Sequence, residues 1–270
     1  MTREHRQRRR VEVPALAVSK RFGMYNKEEP QAVRKAQDIK KSEIREQLEK
    51  ALEKLEYSNV SLANQDKEER NYTNALKAIE GLSITAKDVE SFTVGVLPLV
   101  FQRWDFGYKA GFLLSALINT CKELDFTIHT QHIDTLLKYL GHQNCKNVSV
   151  NGNVGGMLGC EMRQGSITVM GDVAELVGTM MSGGCIIVEG DAGGLVGVYM
   201  KKGVIIIKGN AGHGLGELMA GGIIVVEGNA DYNVGHNICG GEIHVEGEIG
   251  SIGNVIHGKI YHKGKLIVDK

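Results

Sequence analysis

The chain has 270 residues, and its 32 Lys and Arg balance 32 Asp and Glu to a formal charge of zero. Such a molecule has no overall pull toward nucleic acid or an anionic membrane, so neither is expected as a partner. Five cysteines without Cys-x-x-Cys spacing fit a reduced, cytoplasmic protein, and the longest apolar stretches, near 94–100 and 111–118, fall short of the ~20 residues a spanning helix needs.

Glycine is the residue out of proportion: 35 in all, of which five precede residue 141 and thirty lie from Gly141 onward. All three prolines, the single Trp104 and the last phenylalanine, Phe126, lie upstream of the same boundary. Differently built parts are therefore expected: a flexible basic arm over 1–25, a helical region over 26–142, and a repeat over 143–270.

In chain order, Arg3, Arg6, Arg8, Arg9 and Arg10 against Glu4 read as an exposed arm. Ile44, Leu48, Leu52 and Leu55 recur at helical spacing and predict an amphipathic helix over 42–56. Residues 58–73 are polar and read as a loop. Short helices are expected near 74–80 and 87–92, a longer one over 108–119, a strand over 126–129 and a further helix over 133–140. This layer is expected to cap the open end of the repeat, because an uncovered first coil exposes a row of unpaired backbone groups.

The repeat announces itself by glycine at Gly152, Gly171, Gly190, Gly209, Gly228 and Gly247, a constant step of 19. Two further phases keep the same step: Gly159, Gly178, Gly197, Gly216 and Gly235, and then Gly165, Gly184, Gly203, Gly222 and Gly241. Asn or Asp follows the first glycine (Asn153, Asp172, Asp191, Asn210, Asn229), and an aliphatic residue comes later (Leu158, Val177, Val196, Leu215, Val234). Next stand Met162, Met181, Met200 and Met219, with Ile238 in the fifth copy. Each unit closes on a β-branched run such as Ile186-Ile187-Val188.

A 19-residue unit holding one short strand and glycine corners is too short for a βαβ crossover and fits one coil of a parallel β-solenoid. About six coils at ~4.8 Å each make a rod of roughly 29 Å. The methionine and aliphatic columns are expected inside, the glycines at corners with positive φ, and the Asn/Asp column as turn residues that bond locally. Gly253 and Gly258 arrive early, so the last coil is shortened and its polar exit reads as a cap. A hexapeptide helix needs multiples of six, and calcium-binding nonapeptides need a recurring Asp that is absent here, so both are disfavoured.

The units Gly190-Asp191-Ala192-Gly193-Gly194-Leu195-Val196-Gly197 and Gly228-Asn229-Ala230-Asp231-Tyr232-Asn233-Val234-Gly235 resemble the GXGXG repeats of the repeat-bearing subunit of formylmethanofuran dehydrogenase. They are equally similar to the C-terminal domain of the glutamate synthase large subunit and to the matching subunit of the formyltransferase/hydrolase complex. The likeness covers about 145–270. It implies a right-handed parallel β-helix without an active site of its own, acting as a spacer or assembly surface beside metal, flavin or glutaminase chemistry on other subunits. It therefore implies, as partners, other subunits of an oxidoreductase or formyl-transfer complex, and no cofactor of its own.

No catalytic, cofactor or metal set stands out in the sequence. There is no Cys cluster for iron–sulfur, and Thr2 after Met1 offers no N-terminal nucleophilic Cys. His129 and His132 stand three apart without a third ligand, and His213, His236, His244 and His257 fall at different phases of the repeat. The glycine loops recur with no helix following, unlike a nucleotide loop, and G-x-S-x-G is absent. Cys160, Cys185 and Cys239 read as small buried or turn residues. The expected function is a non-catalytic assembly subunit. The alternatives are a stand-alone glutamate synthase GXGXG subunit, a homo-oligomeric scaffold, and an enzyme using Trp104, Asp105, His129, His132 and Asp134 where the helical cap meets the solenoid.

Overall fold

The computed structural model describes residues 43–58, 65–98 and 104–270; the basic arm over 1–25 lies outside them. Among the described residues four helices, α1 (Glu43–Lys54), α2 (Gln65–Ala78), α3 (Ala86–Gly95) and α4 (Phe106–Thr120), precede nine strands in a single sheet. The strands are β1 (Asp125–His129), β2 (Asn147–Asn151), β3 (Ser166–Val169), β4 (Cys185–Val188), β5 (Val204–Ile207), β6 (Ile223–Val226), β7 (Glu242–Val245), β8 (Lys259–His262) and β9 (Lys265–Asp269). They stack in sequence order, β1 to β8 all parallel, which makes a β-solenoid of about seven turns.

From β2 to β7 each residue pairs with the one 19 positions later, as Ile186 with Ile205 and Ile205 with Ile224. Alternate strand residues point inward, and Ile167, Ile186, Ile205, Ile224 and Ile243 are fully buried in one column. Leu158, Val177, Val196, Leu215 and Val234 fill a second column, and Met162, Met181, Met200, Met219 and Ile238 a third, all at 0 % exposure. The last step is shorter, Glu242 pairing with Lys259, and β9 then folds back antiparallel on β8. That hairpin occupies the edge that a further coil would otherwise need to cover.

The glycine phases have two different causes. Gly178 has φ +66°, and a Cβ there would lie 2.5 Å from Ile205 Cδ1 of the next coil. Gly190, in the Asn/Asp phase, has no positive φ; a Cβ there would strike the Asp172 carboxylate and the backbone of Gly171 below it. The Asn/Asp column itself does not bond locally as the sequence reading expects. Each side-chain oxygen accepts the backbone N–H one coil along: Asp172 from Asp191 at 2.8 Å, Asp191 from Asn210 at 2.6 Å and Asn210 from Asn229 at 2.9 Å. None of these residues adopts positive φ. The column is a ladder along the rod.

The helical layer departs from the sequence reading twice. The segment 133–140, expected as a helix, is instead the turn region of an additional first coil, opened by β1, whose Asp125 pairs with Asn147 of β2 at a longer step than the later coils use. Its backbone groups are taken by neighbours: Lys138 N–H donates to Gly107 O, Tyr139 N–H to Gly156 O, and Leu137 O accepts from Gly155 N–H. Tertiary pairing of this kind overrides local helical propensity. The second departure is α2, which begins at Gln65, inside the stretch that reads as loop. Its inner face carries Glu68, Asn71, Tyr72 and Ala75, in helical register but half polar, so hydrophobic periodicity does not register it.

Helix α4 lies along the first coil on a narrow stripe of small and polar residues, Gly107, Gly111, Ser115 and Asn119, each four apart. A Cβ at Gly111 would enter the carbonyl of Lys138. Ser115 Oγ donates to Tyr139 O at 2.8 Å, and Asn119 Nδ2 to His142 O at 3.0 Å. A capping box between Thr85 and Asp88 opens α3. Among the described residues no helix is long and apolar enough to cross a membrane.

Candidate functional site where the helical layer meets the solenoid

Three chain segments meet above the first two coils. Helix α2 brings Glu68, the first coil brings His142, and the second coil brings Cys160, and these are 3 %, 1 % and 0 % exposed. The turns that carry the last two are strained in the same way. Tyr139, Gly141 and Gln143 have positive φ around His142, and Met157, Gly159 and Glu161 repeat that pattern around Cys160. His142 and Cys160 thus occupy the same register position on successive coils, and Thr179, Val198, Glu217 and His236 continue the column at steps of 19.

The Cys160 thiol donates to Glu68 Oε1 at 2.8 Å, and His142 Nδ1 lies 3.5 Å from the same oxygen. The His142 backbone is firmly held: its N–H lies 3.1 Å from Ser115 Oγ, and its carbonyl accepts from Asn119. The ring is enclosed by Tyr72 and Phe112, at centroid distances of 4.8 and 5.5 Å. Neither ring nitrogen makes a hydrogen bond, although both are buried. Leaving such a group unsatisfied costs roughly 1–3 kcal/mol.

Burial, with the Arg163 guanidinium adding to it, pushes the His142 imidazole down to about 3, so the ring is neutral and its approach to Glu68 is not an ion pair. Burial pushes the Cys160 thiol well above its ordinary value, and the Glu68 carboxyl pushes the same way. Burial raises Glu68 also, opposed by the hydrogen bond from Cys160. The donor atoms of the three residues all lie within 4.8 Å of one another.

The residues named from sequence have other partners. Trp104 is 68 % exposed and meets Tyr57 edge-on. Asp105, the residue just before α4, pairs with Lys109 of its first turn at 3.0 Å. His129 Nε2 faces Glu90 at 3.2 Å and its Nδ1 faces Asn151. His132 and Asp134 are not drawn into any cluster with them. The meeting of helices and solenoid does hold a cluster, but its members are Glu68, His142 and Cys160. An open groove of about 850 Å³ runs beside Leu76, Ile79 and Cys121, and the Cys121 thiol is spent on Ile84 O.

The outer face of the sheet is the other feature. In β4, β5 and β6 the outward residues are Cys185 and Ile187, Val204 and Ile206, and Ile223 and Val225, all half-buried. Polar residues replace them on both sides: Ser166 and Thr168 in β3, Glu242 and His244 in β7. At the strand ends Lys208 pairs with Glu189 at 2.9 Å.

No family model matches the chain, and no curated protein matches it either. Fold and geometry therefore define the class, a parallel β-solenoid capped by helices.

Proposed function

We propose that the chain is a non-catalytic assembly subunit of a multi-subunit oxidoreductase or formyl-transfer complex, docking a catalytic partner on the outer face of β4 to β6. The observation that carries this reading is the apolar patch of Cys185, Ile187, Val204, Ile206, Ile223 and Val225 with its polar borders. Parallel strands apolar on both faces belong to sheets covered on both faces, and an apolar centre within a polar rim is the anatomy of a protein interface. The likeness of the repeat to GXGXG domains supplies the kind of partner.

The test is affinity purification of the endogenously tagged chain under mild anaerobic conditions, followed by mass spectrometry, with Ile206→Glu in parallel. Recovery of a molybdenum or tungsten subunit, or of a glutamate synthase core, with the unaltered chain and its loss with the variant supports the reading. A homo-oligomer without other subunits overturns it.

A further inference from the structure

We propose that Glu68, His142 and Cys160 bind a divalent transition-metal ion of borderline softness, zinc foremost, which clips α2 to the first two coils. This stands apart from the docking reading above and uses none of its residues.

The donor set selects the ion. One sulfur, one imidazole nitrogen and one carboxylate oxygen suit zinc or cobalt; magnesium and calcium prefer oxygen alone, and a single cysteine cannot hold an iron–sulfur cluster. The geometry is close to what such an ion needs. Bonds of ~2.0–2.3 Å in a tetrahedron place ligand atoms roughly 3.3–3.7 Å apart. Here Glu68 Oε1 lies 2.8 Å from Cys160 Sγ and 3.5 Å from His142 Nδ1, so the thiol and carboxyl separate by less than ~1 Å. Three protein ligands leave the fourth position to a water.

Charge and hydrogen bonding favour the same answer. A hydrogen bond between Cys160 and Glu68 accounts for those two groups without a metal, but leaves both nitrogens of a buried, neutral histidine idle. On binding, the thiol loses its proton to solvent and the sulfur forms the bond to the metal. One thiolate and one carboxylate then cancel the 2+ charge, and the imidazole nitrogen donates its lone pair. No net charge remains in a site walled by Tyr72, Phe112 and Tyr139. Because all three ligands are buried, loading accompanies folding.

The full chain, refolded with Co²⁺ alone and separately with Zn²⁺ alone, is the test. The expected results are one metal per chain by elemental analysis and, with Co²⁺, a near-ultraviolet thiolate-to-cobalt band with the visible absorption of tetrahedral cobalt. Cys160→Ser removes the band, while Cys239→Ser, at an exposed thiol, keeps it. Glu68→Gln weakens binding by more than the ~10–100-fold typical of losing a group behind the ligands. Circular dichroism verifies folding, and should Cys160→Ser not fold, the near-isosteric Glu68→Gln decides. A folded unaltered chain that shows no thiolate band, or a band that survives both Cys160→Ser and Glu68→Gln, overturns the proposal.

Discussion

The Asp191 carboxylate accepts the backbone N–H of Asn210 at 2.6 Å, one full coil away, and one of the Asn210 amide hydrogens also reaches it at 3.1 Å. The same bond recurs from Asn153 to Asn229, so successive coils are tied by one column of side-chain oxygens. An amide oxygen serves as well as a carboxylate, which is why Asn and Asp alternate freely there. Asp191→Asn is therefore expected to stay within about 0.5 kcal/mol of the unaltered chain. Asp191→Leu, which hands the exposed Asn210 N–H from its carboxylate acceptor to water, costs the net worth of that bond, roughly 0.5–1.5 kcal/mol, in denaturant unfolding. Equal stability of the two variants would deny the ladder any role.

The methionine column fills space inside the rod. Met200 is fully buried, as are Met181 and Met219 at the same place in the neighbouring coils. Met200→Ala is expected to lose ~2–5 kcal/mol, and Met200→Leu, which nearly conserves volume, less than ~1.5 kcal/mol. Urea unfolding monitored by circular dichroism measures both.

Helix α4 seats on the first coil through Gly111, where a Cβ has no room against the Lys138 carbonyl. Gly111→Val is expected to lift the helical layer while the upper coils keep their pairing. Hydrogen exchange would then rise in α4 and β1 but not in β4 to β6; a uniform rise across all strands would show that layer and rod unfold as one unit.

The solenoid is legible in the sequence because its period is strict. From Gly152 to Gly247 each coil repeats the last, and stacking identical columns requires identical residues. The first coil is legible only in part: its strand over 126–129 is read, but its step to the second, from Asp125 to Asn147, breaks that period, and Ile133 to Leu140 carry a helical spacing that the pairing of their backbone overrides. The buried cluster is hidden for a related reason. Glu68 sits on a helix whose inner face is half polar, and His142 belongs to the coil that the period misses. One signal is present: the spacing from His142 to Cys160 falls one short of the period, and the positive-φ turns around both show that it is one coil. The Asn/Asp column reads as local turns because sequence spacing cannot distinguish a bond within a coil from one between coils.

The proposed docking face contains its own reporter. Cys185 stands in the apolar patch beside Ile187 and Val204, half-buried, and Cys239 is exposed just before β7, outside the patch. The most direct measurement is the rate at which a small alkylating reagent modifies these two thiols in the isolated chain and in the complex recovered from cells. Docking on β4 to β6 predicts that Cys185 slows markedly in the complex while Cys239 reacts as before. Equal Cys185 rates in the isolated chain and the complex would contradict it.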